Sequence, residues 1–236
     1  MSRGASLDLS GASRERATAP QLVRLALPLG WLLGAVGYYG PWIAHPTAAL
    51  ALTGVDLGEF VKFLPAVQAG ELAVVRQLFY LPPLAVVLGV ALLAGAPRLR
   101  YSLPVRAAAL VLAVPVSVQL LPPAWSPSSL MTEEFRLQTV ALAACWVALA
   151  ASWLLARLPA WLAGGAAGLL AAAALAASAW QTWTVKPAID TLYGQPPPLG
   201  WGLFVCLVGL AVMLLGSLLL AAAAGRARAR RGSGTW

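Results

Sequence analysis

The sequence predicts an all-α, polytopic membrane protein of six transmembrane helices, with both termini cytoplasmic and a short amphipathic helix in the first extracytoplasmic loop. Three observations predict it. Of 236 residues, 60% are hydrophobic and 10% charged, against roughly 45–50% and about 25% in soluble domains. Six apolar runs approach the roughly 20 residues that cross a 30 Å hydrocarbon layer. The basic residues then sort to one side of those runs. So few charges cannot coat a soluble globule, which excludes a cytoplasmic enzyme, a disordered chain and a secreted disulfide scaffold.

The runs lie at 25–43, 78–96, 104–121, 137–156, 160–180 and 200–224, and together they make one membrane domain over 25–224. The first is too long, and starts too far into the chain, for a cleavable signal peptide. Only the third holds a formal charge, Arg106, close enough to its end to reach the headgroups. Pro115 interrupts that run and frees a backbone carbonyl. Its status is decided by the cations. With six crossings, twelve of the sixteen Lys and Arg face the side of the N-terminus, and only Lys62, Arg76, Arg136 and Lys186 face the other. That three-to-one bias marks the first side as cytoplasmic. With five crossings, Arg226, Arg228, Arg230 and Arg231 would be placed outside and the pattern would be lost.

Aromatic residues support the same map. Tyr38, Tyr39, Trp42, Tyr80, Trp125, Trp180, Trp183, Tyr193 and Trp201 fall at the outer boundary, as an interfacial belt would, with Tyr101 and Trp161 at the inner edge. The flanking segments 1–24 and 225–236, rich in Arg, Ser, Gly and Ala, are expected to be loose cytoplasmic tails near anionic lipid. Fourteen arginines against two lysines, in an alanine-rich chain, suit a GC-rich bacterial genome.

Between helices in lipid there is little hydrophobic drive, so small residues carry the packing. Gly30 and Gly34, with Gly37 beyond, mark one face of the first run. Gly164 and Gly168 mark the fifth, and Gly202, Gly209 and Gly216 stand at heptad spacing on the sixth. Packing within the bundle is the expectation, with docking of a second subunit as the rival. The buried polar residues are expected to be Gln119, Gln138, Ser152 and Ser217. No Asp, Glu, Lys or His lies at mid-depth, which argues against a proton-coupled transporter or an intramembrane protease.

Polar chemistry gathers outside. The first outer loop, 44–77, holds Asp56, Glu59, Lys62, Glu71 and, at its start, the only histidine, His45. Thr53 can cap a helix that Pro65 ends, with Leu57, Phe60, Val61 and Leu64 forming its apolar face in the headgroup layer. Asp56 and Glu59 could work as an acid–base pair, but acids three apart beside Lys62 are more often a solvated face. His45 could bind a metal with them; one histidine is a thin ligand set, and no metal is expected. Glu133 and Glu134, with Arg136, suit a helix N-terminus. Lys186 and Asp190, four apart, make a local pair in the loop ending at Pro196, Pro197 and Pro198. His45, Asp56, Glu59, Lys62, Glu133, Glu134, Lys186 and Asp190 are therefore the candidate binding or partner surface.

No phosphate loop, HExxH, GxSxG or CxxC motif is present. Cys145 and Cys206 sit singly in apolar runs, with no disulfide or zinc pattern. No cofactor and no catalytic residue is expected. The positive charge is explained by orientation, without nucleic acid. The expectation is a non-catalytic subunit of a larger cell-membrane assembly for transport, whose partners are the bilayer and another membrane subunit. One alternative is the permease subunit of a transporter driven by a cytoplasmic ATPase. The other is an enzyme acting on a lipid or envelope substrate through Asp56 and Glu59.

Overall fold

The computed structural model describes residues 21–44, 51–121, 125–194 and 196–232. It is all-helical, at 76% helix and 3% strand. In chain order the elements are α1 (Gln21–Tyr39), β1 (Pro41–Ile43), β2 (Leu52–Thr53), α2 (Gly54–Phe60), α3 (Pro65–Gln68), α4 (Leu81–Leu93), α5 (Leu103–Val118), α6 (Arg136–Ala150), α7 (Ser152–Leu155), α8 (Ala160–Tyr193) and α9 (Trp201–Gly232). Short 3-10 turns occupy Val61–Phe63, Arg76–Tyr80 and Ser129–Met131, the second running directly into α4.

Four helices are long and apolar enough to cross a membrane: Gln21–Tyr39, Arg76–Leu93, Ala160–Tyr193 and Trp201–Ala229. The remaining two runs form the shorter apolar helices Leu103–Val118 and Arg136–Ala150. Each has a local reason for its length. In α5, Pro115 lacks an N–H and the helix closes in 3-10 fashion at Gln119–Leu121. In α6 the helix breaks at Ala151 and resumes as the single turn α7.

Glycine dictates how the bundle assembles. α1 and α9 pack backbone to backbone: a Cβ on Gly37 would strike the backbone of Cys206, and one on Gly209 would strike Gly34. Gly30 lies against Met213, with only 2.9 Å from a Cβ to its backbone nitrogen, and Gly216 lies under Leu27. The glycine faces of the first and last runs thus meet each other within one chain. The fifth run repeats the device. Gly164 packs on the Ser217 carbonyl and Ala221, Gly168 on Leu218, and Ala163, Ala167, Ala171 and Ala174 are buried. α4 is the most buried of the four long helices, packed against α8, α1, α5 and α6. α5 and α6 remain at the edge of the bundle, touching mainly α4 and each other.

Several expectations need correction. Tyr38, Trp42 and Tyr80 are not belt residues but core: all three are buried, and Trp42 stacks edge-on against Tyr38 and tilts onto Phe79. Trp42 can enter because its Nε1 donates to the Gly37 carbonyl at 3.1 Å, answering one of the open carbonyls at the end of α1. Tyr39, Trp125, Trp180, Trp183 and Trp201 are exposed, as a belt requires. α8 runs 13 residues past its expected end, so Lys186 and Asp190 lie on a helix and not in a loop. α9 runs to Gly232, so the arginine-rich stretch expected to be loose is helical that far, with Arg228 over the Trp161 ring. Of the expected buried polar residues, Gln138 and Ser217 are buried, whereas Gln119 and Ser152 are only partly so. Ser178, Gln181 and Thr182 on α8 join the buried set.

Candidate functional site: the loop cap

The helix ends around Tyr39 and Tyr80 are roofed by a compact cap. β1 pairs antiparallel with β2, Pro41 opposite Thr53 and Ile43 opposite Leu52. Its other edge is held by the proline segment, through Ala44 N–H to Pro198 O at 2.9 Å and Gly200 N–H to Trp42 O at 2.8 Å. Pro198 has no N–H, so only its carbonyl can join this edge.

α2 starts where the sequence expects. Thr53 Oγ1 accepts from Asp56 N–H, and the Asp56 carboxylate takes back the Thr53 N–H at 3.1 Å and its hydroxyl at 2.7 Å. This is a complete capping box, with Asp in the place more often taken by Glu. Its apolar face does not lie in the headgroups. Leu57, Val61 and Leu64 are fully buried against the bundle, Gly54 fits under the Tyr38 ring and Gly58 faces Tyr80. Phe60 is only half-buried, and Phe63 is the apolar side chain left exposed. Pro65 ends the first turns and opens the next, α3.

Beyond α2 the charges gather into one network. Lys62 Nζ reaches Glu59 at 2.7 Å and Glu134 at 3.0 Å. Arg76 Nη1 stands 2.7 Å from Glu134 Oε1 and 3.7 Å from Glu59, and Tyr80 OH donates to Glu59 at 2.7 Å. Phe135 lies beneath both cations, 5.2 Å from the Arg76 guanidinium and 5.8 Å from Lys62 Nζ. Glu134 belongs to the turn before α6, so the network stitches the loop after α1 to the loop before α6. The hydrogen bonds from Lys62 and Arg76 hold the Glu134 carboxyl below its ordinary range. Partial burial works against the Lys62 ammonium, but the bonds to Glu59 and Glu134 outweigh it and its affinity for the proton rises.

The candidate residues therefore divide. Glu59, Lys62 and Glu134 come together. Asp56 faces elsewhere, beside a cavity of about 360 Å³ bounded by Tyr39, Gln119 and Trp125. Asp56 and Glu59 are thus held by different partners and do not share a site. Glu133 is fully exposed, with Arg136 at 3.9 Å. Lys186 pairs with Asp190 one turn along α8, beside a cavity of about 500 Å³ roofed by Pro196, Pro197 and Pro198. His45 lies outside the described residues. Arg76, Tyr80 and Phe135 are not among the candidate site residues of the sequence, because their partners lie 58, 21 and 59–73 residues away. The available signal was the surplus of six acids over four cations on one side. Among the described residues, no cluster of three or more His, Cys, Asp or Glu could hold a metal.

A different kind of cavity lies between the helices. Between α1 and α5, floored by Val86 and Val90 of α4, lies an apolar space of about 450 Å³ that opens sideways. At the end nearer the cap, Tyr39 OH donates to Pro115 O at 3.1 Å. Pro115 O is free to accept because Gln119 N–H turns to Val116 O instead.

No protein-family model matches the chain, and neither a curated protein nor a solved structure matches it.

Proposed function

We propose that the chain is a non-catalytic subunit of a larger bacterial cell-membrane assembly, crossing the inner membrane six times with both termini in the cytoplasm. The observation that carries this reading is the position and length of α5 and α6. At 16 and 15 residues they span roughly 24 Å at 1.5 Å per residue, less than the hydrocarbon layer. Both stand at the bundle edge with broad apolar faces uncovered, Val111, Leu112, Val140 and Val147 among them. Helices too short for the bilayer relieve the mismatch by thinning it or by associating with a neighbour. The cation bias supports counting both as crossings.

The carboxylate pairings weigh against the enzymatic alternative: Asp56 caps a helix and Glu59 is tied to Tyr80, Lys62 and Arg76. The inner connections, 94–102 and 156–159, are short for gripping an ATPase, which weighs against the permease alternative. Within a transport assembly the chain would support the pathway and not form it, since the α1–α5 cavity is apolar and opens to the side.

Extraction of native membranes directly into lipid nanodiscs tests the proposal. A second polypeptide in fixed ratio is expected, released by Val140→Trp with Val147→Trp, which bulk up one face of α6. A single copy with no companion would contradict it.

A further inference from the structure

We propose that the cleft between α1 and α5 binds one anionic phospholipid, an acyl chain in the cleft and the phosphate against Arg24 and Arg100. This goes beyond the subunit reading and does not require a protein partner.

The shape comes first. On α1, Pro28, Ala35 and Tyr39 line the cleft at spacings of seven and four, one continuous stripe of the helix. On α5, Val105, Ala108 and Leu112 face them, and alanine at the centre leaves the width. From Pro28 to Tyr39 the stripe rises roughly 16 Å at 1.5 Å per residue. That is about half of a 30 Å hydrocarbon layer, room for an acyl chain laid along the two helices. The end nearer the cap is shut by the Tyr39–Pro115 bond, so a chain enters from the opposite end or from the side.

The charge comes second. Arg24 continues the α1 stripe one turn below Pro28. Tyr101, which lines the same end of the cleft, donates its hydroxyl to Arg24 O at 2.9 Å, and Arg24 Nη2 reaches Arg100 O at 3.4 Å. Arg100 is held in the left-handed region, at φ 49°, the only non-glycine residue so placed among those described. A side chain rarely accepts that conformation unless its surroundings impose it. The Arg100 carbonyl that Arg24 reaches is next in the chain to Tyr101, at the same end of the cleft. Neither arginine pairs with a carboxylate among the described residues. An apolar slot with the Arg24 guanidinium and a phenol at one end, and Arg100 next in the chain to that phenol, has the polarity of an anionic lipid laid lengthwise. Guanidinium also offers the paired donors that a phosphate accepts.

The test uses the full chain, purified and stripped of lipid in a neutral detergent. It is reloaded with dioleoyl phosphatidylglycerol or dioleoyl phosphatidylcholine and examined by native mass spectrometry. One phosphatidylglycerol per chain is expected to survive, with phosphatidylcholine retained at least tenfold less. Ala108→Phe, which fills the cleft, and the double substitution Arg24→Gln with Arg100→Gln are each expected to reduce retention at least tenfold. Val105→Trp narrows the same wall, should Ala108→Phe not fold, and unchanged helical circular dichroism qualifies each variant. Equal retention of the two lipids, unchanged retention with the cleft filled, or a lipid-free dimer joined through α1 and α5 would each overturn the assignment. Because the isolated chain suffices, this result stands apart from whether a partner subunit is found.

Discussion

Arg76 holds Glu134 twice: its Nη1 lies 2.7 Å from the carboxylate oxygen Oε1, and its Nη2 donates to the Glu134 backbone oxygen at 2.8 Å. One side chain therefore fixes both the charge and the course of the loop before α6. The two ends of the contact are not equal. Arg76 is 11% exposed and Glu134 49%, so the arginine is the member that cannot fall back on water.

Replacing Arg76 should accordingly cost more than replacing Glu134. Arg76→Ala leaves the mostly buried Glu59 short of a cation and is expected to lower stability by about 2 kcal/mol. Glu134→Gln breaks a half-exposed pair and should cost about 0.5 kcal/mol. Thermal unfolding in detergent measures both. Hydrogen exchange should show the faster opening of 54–63 and 129–136 in Arg76→Ala. Equal effects would show that the network contributes little.

The pairings also set a pH dependence. Glu134 has a lowered pKa, so its contribution is complete above the carboxyl's unfolded value, roughly pH 4.3, and is lost as the pH falls through the lower folded value. Lys62 has a raised pKa, so its contribution is complete below the ordinary lysine range and is lost only as the pH rises through a still higher value. Exchange protection of the 129–136 turn should thus be flat from about pH 5 to pH 9, once corrected for intrinsic rate, and fall on acidification. A step near neutral pH would point to a different group.

The helix seam predicts a contrast between glycines. Gly209→Ala drives a methyl into the backbone of Gly34 and is expected to destabilise the protein by about 2–3 kcal/mol. Gly165 sits on the neighbouring α8 with nothing within 4 Å of a new Cβ. Gly165→Ala should be neutral or stabilise by up to about 1 kcal/mol, through helix propensity alone. Unfolding midpoints of the two variants decide the matter, and similar effects would mean that the α1–α9 contact is looser than described.

Tyr39→Phe removes a hydroxyl that joins α1 to α5 at the ends nearer the cap. A cost of about 1 kcal/mol is expected, with faster exchange around Pro115 and no change at α8. Unchanged exchange at 116–121 would show that another contact closes the cleft.

How much of this was legible beforehand follows from the range of each interaction. Thr53, three residues before Asp56, announced a helix start, and the box is there. Glycines spaced four and seven apart announced close helix faces, because spacing on one helix is a local property. Which faces meet is not local: nothing near Gly37 names Cys206. Trp42 looked interfacial because its residue type favours that depth, yet the carbonyl of Gly37 offered its indole a buried partner. Lys186 and Asp190 looked like loop residues because the proline run beyond them signals an end, but α8 carries on through Pro187. The Lys62–Glu134–Arg76 contacts join two loops across an entire pair of helices, a separation at which charge counting marks the side but not the partner.

The map of crossings is tested most directly by single-cysteine labelling in whole cells. Cys145 and Cys206 are buried and are replaced by alanine for background. Cysteine is then placed at Glu71 or at Phe63, both exposed on the cap, or at Gly225, near the far end of α9. A membrane-impermeant maleimide is expected to label positions 71 and 63 in intact cells, and position 225 only after lysis. Labelling of 225 in intact cells, with 71 and 63 protected until lysis, would place the cap in the cytoplasm and overturn the assignment of sides.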